Sequence, residues 1–470
     1  MFKKNYISGS KKFLMKCIIH CKEKSKHLSC VTLFIAFASL KITAQNKNQT
    51  DTIPSLNLDQ CLVYALQHQP GVLQSDIGIS IAKKTNEINL SGWLPQVNAG
   101  ADFYHYIELP TGFTVNAEGA PVTVKTGITN TLTPQITATE TIFSPGLLYA
   151  AKSAHLLVEQ AMQANDSSKI GIISTVSTGF YTLLNTLEQI NVLKEDTAEF
   201  HKNLLDAYHQ YIGGIVDKTD YEEAQITLNN SKAQLKQAVE NVVPQYSSLK
   251  QQMGFPPEKN FNVSFDTAQM MHEISIDTTQ QLQYKNRIEY QLLETAKNIQ
   301  QQNLDYYRYN FLPTLSAFYT YNQEYENNNF SDLFNQAYPY SYIGASITIP
   351  LFTGFARLEN VQKAKLQRQI IDLSEINLKS VIYTQYATAL ANYKSNLYNF
   401  YVLRQNKSMA KDVYIVVSLQ YRQGIVPYLN VITAEDNLIS SEINYINALF
   451  QVLLSKIELE KAMGNINPKH

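Results

Sequence analysis

Tyr211-Ile212-Gly213-Gly214-Ile215-Val216 and Tyr421-Arg422-Gln423-Gly424-Ile425-Val426 are one turn written twice, 210 residues apart. Working outward, Met253-Gly254 recurs at the same offset as Met463-Gly464. Phe143 and Phe352 each close an alternating apolar/polar stretch, and Leu94-Pro95 and Leu312-Pro313 each open one. Landmarks in one order at nearly one spacing mean a single structural unit used twice, in residues 45–254 and 280–470, with a linker at 255–279. Such a repeat dictates architecture before any single residue does.

Within each unit the hydrophobic period changes in the same sequence. Leu62, Ala65, Leu66, Leu73, Ile77 and Ile81 recur at helical spacing and predict a helix over 57–91, capped by Asn57 or Asp59. From Trp93 the period becomes two: Val97, Ala99, Ala101 and Phe103 alternate with Gln96, Asn98, Gly100 and Asp102, which predicts a strand over about 93–108. Gly and Pro make 110–127 a long turn region, and a second strand is expected over about 128–143. A long helix over 147–212 follows, on the order of 100 Å at ~1.5 Å per residue. Gly213-Gly214 break it. The next helix, 218–253, is expected to be capped at Asp217 or at Thr219, with Thr219 and Glu222 as a capping box and a kink at Pro244.

The second unit repeats this order. A helix is expected over about 280–309, strands over about 312–325 and 340–352, a long helix over 355–423 and a last helix over 427–463. Its loop between strands, 323–339, is Asn-rich.

Charge is distributed unevenly. Residues 1–44 hold nine Lys and one Glu, leaving 30 basic and 39 acidic residues in the remainder. A remainder of that sign argues against a nucleic-acid binder. The basic segment Lys3–Lys26, the apolar run Leu28–Leu40 and the small residues Thr43-Ala44 read as a signal peptide, 1–44. A membrane anchor is the competing reading, but the apolar run is short for a span. Cys17, Cys21 and Cys30 fall in this segment, and Cys61 alone remains, so no intrachain disulfide is expected.

Each strand has one apolar face and one rich in Ser, Thr, Asn and Gln. Export, long strands, and tyrosines near strand ends together predict a membrane β-barrel with a wet interior. The tyrosines are Tyr104, Tyr106, Tyr319, Tyr321, Tyr325, Tyr338 and Tyr340. Four strands cannot close a barrel, and an open edge in lipid leaves backbone groups unpaired at several kcal/mol each. The chain must therefore oligomerise. Two copies give a filled interior, whereas three give room for a lumen. Glu140 falls on the apolar face, at a barrel rim or at a slip in register. The helices carry a polar complement and should pack as a coiled-coil-like hollow cylinder, with the shorter ones stacked end to end. The fold class is thus mainly α with transmembrane β: a long α-helical barrel joined to a β-barrel.

The ordered set of landmarks resembles the TolC-like outer-membrane efflux proteins. It rests on the twofold helix–strand–strand–long helix–helix order and on Leu-Pro before each first strand. It rests also on Phe143-Ser144-Pro145-Gly146 and Phe352-Thr353-Gly354, and on Tyr-x-x-Gly at 211–214 and 421–424. The resemblance implies a homotrimer with a twelve-stranded barrel in outer-membrane lipid and a periplasmic helical tunnel. It implies docking to a periplasmic adaptor protein and an inner-membrane efflux pump. The tip would lie at Ile212–Lys218 and Arg422–Tyr428, with Tyr211, Gly214, Asp217, Thr219, Asp220, Tyr421 and Gly424 as gate or docking residues. Family aspartates that form a constriction after the second turn are replaced here by Asn430 and Thr433, so Asp217, Asp220 and Glu222 are the remaining source of negative charge.

No His-Glu-x-x-His, phosphate-binding Gly-rich loop or remaining Cys pair occurs, so neither catalysis nor a cofactor is expected. The reading is a passive exit duct of a tripartite efflux system. A type I protein-secretion duct and a soluble exported coiled-coil scaffold are the alternatives.

Overall fold

A computed structural model describes residues 55–264, 270 and 274–469. All belong to one compact unit, Ile53–His470. The expected signal peptide, 1–44, lies outside the described residues.

The elements run as follows: β1 (Ser55–Leu56), α1 (Leu58–His68), α2 (Pro70–Leu90), β2 (Gln96–His105), β3 (Thr111–Val115), β4 (Pro121–Lys125), β5 (Asn130–Phe143), α3 (Pro145–Ile212) and α4 (Lys218–Met253). Then come β6 (Asn262–Val263), α5 (Ile288–Tyr309), β7 (Thr314–Asn327), β8 (Ala337–Thr348), α6 (Ala356–Arg422) and α7 (Tyr428–Met463).

Three expectations are corrected. The helix over 57–91 is two helices, because Pro70 lacks an N–H and occupies the first position of α2. Asn57 starts α1 with a capping box to Gln60. The turn region 110–127 contains a hairpin, β3–β4, closed around Asn116–Gly119. The capping box at Thr219 does not form: α4 begins at Lys218 with Asp217 as N-cap, and Glu222 pairs with Lys218 at 2.6 Å instead.

The main sheet has the order β2-β5-β7-β8, antiparallel throughout. The helices form a matching layer. The first long helix, α3, packs against α2 and α4 on one side and against α5 and α7 on the other, while α6 packs against α5 and α7. The columns are therefore α2 with α4, then α3, then α5 with α7, then α6. Because α3 lies inside this layer, it buries many more side chains than α6. One window of α3 is apolar enough to cross a membrane by composition, yet half of it is buried against its neighbours, as a core helix requires.

The short helices stack end to end, as Gly254 and Gly464 make plain. Both are left-handed (φ +68° and +75°) and end α4 and α7. A Cβ on Gly254 would sit 2.7 Å from the His68 carbonyl oxygen, where α1 gives way to α2. A Cβ on Gly464 would sit 2.6 Å from the Asn286 carbonyl oxygen, just before α5. At this level lies the main core, with Phe180, Tyr181, Leu183, Leu184, Met253, Tyr393, Phe400, Phe450 and Leu453. Residues 274–276 of the linker are held to it: Tyr393 donates its hydroxyl to the Ile274 carbonyl at 2.6 Å and accepts from the Ile276 N–H at 3.2 Å. Cys61 is fully buried here, and burial pushes its thiol up to about 12, so it is inert.

The last strand of the sheet joins α6 through Gly354 and Phe355, both left-handed (φ +58° and +65°). Arg357 fixes this junction by donating to the Pro350 carbonyl at 2.6 Å and to the Thr353 hydroxyl at 3.1 Å, with its guanidinium over the Phe311 ring.

Gly214 and Gly424 are left-handed too, but a Cβ on either would meet nothing within 4 Å. Gly214→Ala is therefore expected to cost only the backbone penalty, about 1–2 kcal/mol. Gly464→Ala adds a backbone collision and should lower the thermal unfolding midpoint further. Equal midpoints for the two variants would contradict the end-to-end contact.

Candidate functional site

The two repeated turns end α3 and α6 in the same way. Gly214 N–H donates to the Tyr211 carbonyl at 3.0 Å and Ile215 N–H to the Gln210 carbonyl at 2.9 Å. Gly424 N–H donates to the Tyr421 carbonyl at 2.8 Å and Ile425 N–H to the Gln420 carbonyl at 2.9 Å. These are Schellman turns, which require a left-handed residue at Gly214 and Gly424. Ile212, Ile215 and Ile425 stand exposed beside them.

The structure brings the turns of the two repeats together. Tyr421 and Tyr428, with ring centroids 5.1 Å apart, pack with Ala207, Ala224 and Val431 in a small separate core. Tyr211 faces Tyr221 instead, at 6.4 Å. Asp220, in the first turn of α4, faces Tyr428, the first residue of α7. That helix has Pro427 as its N-cap and no side-chain cap hydrogen bond, so an acid of the first repeat stands at the positive end of a helix of the second. Partial burial and neighbouring Asp217 raise the Asp220 carboxyl pKa. Burial also pushes the Tyr421 hydroxyl up to about 12.

Asp217, Thr219, Asn430 and Thr433 are exposed, and the Thr433 hydroxyl donates back to the Leu429 carbonyl at 2.9 Å. Of the expected tip residues, Asp220 and Tyr421 are thus drawn into the inter-repeat contact. Asp217 and Thr219 stay at the start of α4, and Asn430 and Thr433 on an open face of α7.

Sequence reading missed Glu435, which is buried to 2 % exposure at the α3–α7 contact. Asn203 donates its amide to one Glu435 oxygen and to the Tyr414 hydroxyl of α6, and the other Glu435 oxygen has no partner. Asp436 on α7 and Glu199 and Asp196 on α3 add like charge. Burial above all raises Glu435 to about 8. Asp196, half-buried near Glu442 and Glu195 with Lys407 opposing, rises to about 7. The signal was present in sequence: Glu435 follows Val431, Ile432 and Ala434 on a packed helix face.

In the sheet, register sorts every side chain to a face. Val97, Ala99, Phe103, Leu132, Ile136, Ala138, Tyr319, Tyr321, Ile343 and Ile347 share one face. Asn98, Asp102, Tyr104, Thr133, Gln135, Thr137, Thr320, Asn322, Glu324, Tyr338 and Tyr340 share the other. On β7, Thr320 and Asn322 are each 4 % exposed while Tyr319 and Tyr321 are 47 % and 38 % exposed. In this central strand the polar face is therefore the sheltered one. Tyr319 and Tyr321 lie on the apolar face. Tyr104 and Tyr340 lie on the polar face, which corrects their assignment: alternation put them there, since each is in phase with Asn and Thr neighbours. Tyr106 follows β2 and is exposed. Glu140 pairs with Ala317 on the apolar face near the helical end of β5, just before a shift in register between Thr141 and Phe143. The exposed Phe311, Phe352 and Phe355 form an aromatic set at that same end, which sequence reading passed over because they lie outside the strands.

No curated protein matches the sequence. Residues 284–465 match the family model described as outer membrane efflux protein. Solved structures share the fold. VceC, an outer membrane protein of Vibrio cholerae, aligns at 15 % identity over 87 % of this chain and 96 % of its own, with a TM-score of 0.67. CusC, whose structures concern transmembrane channel formation, aligns at 14 % identity over 88 % of this chain and 93 % of its own, with a TM-score of 0.71. The CmeC outer membrane channel of Campylobacter jejuni aligns at 17 % identity over 88 % and 87 %, with a TM-score of 0.67.

The buried acids give a pH prediction. A carboxyl whose folded pKa lies above its unfolded value binds its proton more tightly in the folded state. Its contribution to stability is fully present below the unfolded pKa, near 4.5 for Glu435, and is lost as pH rises through about 8. Glu435→Gln should flatten the fall in melting temperature between pH 5 and about 8. An unchanged slope would show that Glu435 is not protonated in the folded protein.

The second repeat is thus similar in sequence to the outer membrane efflux proteins, and the described chain, first repeat included, shares the fold of these solved structures.

Proposed function

We infer that the chain is the outer-membrane exit duct of a tripartite efflux system. It works as a homotrimer with a periplasmic adaptor protein and an inner-membrane efflux pump. The observation that carries this reading is the coincidence of open edges. β2 and β8 end the sheet, and the column of α2 with α4 and the column of α6 end the helical layer. Both helical edges expose apolar side chains: Leu73, Ile77, Ile81 and Ile88 on α2, and Leu366, Ile370, Leu373 and Ile376 on α6. Neighbouring copies joined edge to edge satisfy both layers at once.

The strand directions fit this closure. β2 leaves the helical end and β8 returns to it, so β8 of one copy meets β2 of the next antiparallel, like every other pair in the sheet. Three copies give twelve strands, with Tyr319 and Tyr321 toward lipid and the Thr- and Asn-rich face around a wet lumen. The exposed isoleucines around Gly214 and Gly424 form the end that an adaptor would grip.

The chain contributes a path and a closure, and the driving force comes from the pump. Closure at the tip rests on the contact of α4 with the start of α7, where Asp220 faces Tyr428, because it ties the two repeats at the ends farthest from the sheet. Opening would separate α4 from α7 and break it.

A protein-secretion duct would share this geometry, whereas a soluble scaffold would have no use for an exposed apolar sheet face. Reconstitution in planar bilayers separates the channel from the scaffold. The purified protein should fractionate with outer membranes and give single-channel currents. Asp220→Ala should raise the open fraction about two- to fivefold, matching the loss of an acid facing a helix N-terminus, about 0.3–1 kcal/mol. A wild-type protein that is soluble and carries no current overturns the channel reading. Wild-type currents with an unchanged open fraction in Asp220→Ala leave the channel but remove Asp220 from its closure.

A further inference from the structure

The first repeat carries an element that the second lacks. Between β2 and β5, at the end of the sheet opposite the helices, the chain folds into the hairpin β3–β4. The Asn116 side chain closes its tip by accepting from the N–H groups of Glu118 and Ala120 at 3.1 and 2.8 Å. Thr126 N–H closes its base by donating to the Pro110 carbonyl at 2.8 Å, beside the left-handed Gly127 (φ +111°). A two-stranded hairpin is marginal in water by itself. This one is nevertheless left uncovered by its own chain: Phe113 is 82 % exposed and Val115 68 %. Apolar side chains gathered on a well-built projection mark a docking surface.

Register gives that surface its character. Phe113 pairs with Thr123, Val115 with Pro121 and Thr111 with Lys125, so Phe113, Val115, Pro121 and Lys125 share one face of the hairpin. Lys125 is the single Lys or Arg between Lys84 and Lys152, and none occurs between Arg308 and Arg357. It stands alone at this end of the sheet among Asp102, Glu108, Glu118, Glu324, Glu326 and Asp332. Among the described residues no ion pair holds it. The face therefore fits an apolar patch with a carboxylate beside it.

Loop 328–336, between β7 and β8, is such a patch. Leu333 anchors it at 1 % exposure, while Phe334 stands exposed next to it with its ring 5.5 Å from that of Tyr325. Asp332 is half-buried there, and its carboxylate accepts from the amides of Asn329 and Asn335 at 3.4 and 3.2 Å. The loop leads into β8 and the hairpin follows β2, and these are the two edge strands. In a ring closed edge to edge, the hairpin of one copy and the loop of the next meet above the same seam. The outer lipid leaflet is a poorer occupant, because anionic headgroups would face six acids and one lysine.

We propose that the β3–β4 hairpin is a clasp between copies: Phe113 and Val115 lie on the next copy's Phe334, and Lys125 faces its Asp332. The proposal rests on the channel reading above and goes beyond it by giving the extra segment of the first repeat an assembly role outside strands and helices. The apolar contact supplies most of the attraction. The ion pair, near solvent, adds little strength but fixes which faces meet.

The test is made on the full chain in outer membranes. Phe113→Cys combined with Phe334→Cys, treated with a short bismaleimide, should turn monomers into covalent dimers and trimers on denaturing electrophoresis. Cys61 is fully buried and does not compete. Either single variant should remain monomeric. Lys125→Glu should lower the temperature at which the detergent-solubilised trimer dissociates, and Lys125→Glu with Asp332→Lys should restore it. Trimers that form without the intermolecular cross-link, or a reversed pair no more stable than Lys125→Glu alone, overturn the clasp and leave the duct intact. A Phe113→Cys thiol shielded by lipid and not cross-linked between copies assigns the hairpin to the leaflet and overturns the clasp as well. A wild-type protein that is monomeric in membranes overturns the duct itself.

Discussion

A backbone N–H or C=O without a partner costs several kcal/mol in hydrocarbon, and β2 and β8 each present a row of them. Everything else in the chain is arranged around that debt of hydrogen bonds. A sheet of four strands cannot curl far enough to satisfy its own edges. Because the number of strands is even and every pair is antiparallel, its first and last strands point in opposite directions. They are complementary, so copies of the same chain can complete each other. The duplicated unit is what makes this possible: each repeat delivers one strand going out and one coming back.

The helical layer must obey the same closure, because it continues from the same strands. Long helices set its height, and the shorter ones reach that height only by stacking. The stacking joints are where sequence freedom is smallest, since Gly254 and Gly464 must be left-handed and must also admit a neighbouring backbone. At Gly214 and Gly424 the first demand holds without the second. Four glycines that look equivalent in a repeat alignment therefore do different work. Two hold helix ends together in the waist, and two turn the chain at an open end.

The repeat, the element order and the two strand faces were legible in the sequence because each is a periodic property, and periodicity survives without knowledge of contacts. The break at Pro70 was legible in principle, since a proline at a first helical position is as much a start signal as a stop. Missed features are those that depend on which elements meet. The contact of Asp220 with the start of α7 at Tyr428 joins residues about 200 positions apart, and nothing local distinguishes an acid that faces its own helix end from one that faces another. Glu435 looked like one more helix-surface acid until α3 was laid against it. Tyr104 and Tyr340 were grouped by residue type, whereas the alternation around them already put them on the polar face.

The differences between the two halves follow from this. In the first turn Asp220 reaches across to the second repeat. At the equivalent place Asn430 has lost the charge and stays exposed. A second carboxylate at that place would stand near the first and repel it. Further along the same helices Glu435 is buried and Asp196 half-buried, and burial raises both carboxyls. Acids packed between these helices already favour their neutral form, so an uncharged residue at Asn430 adds no further repulsion where the two repeats meet.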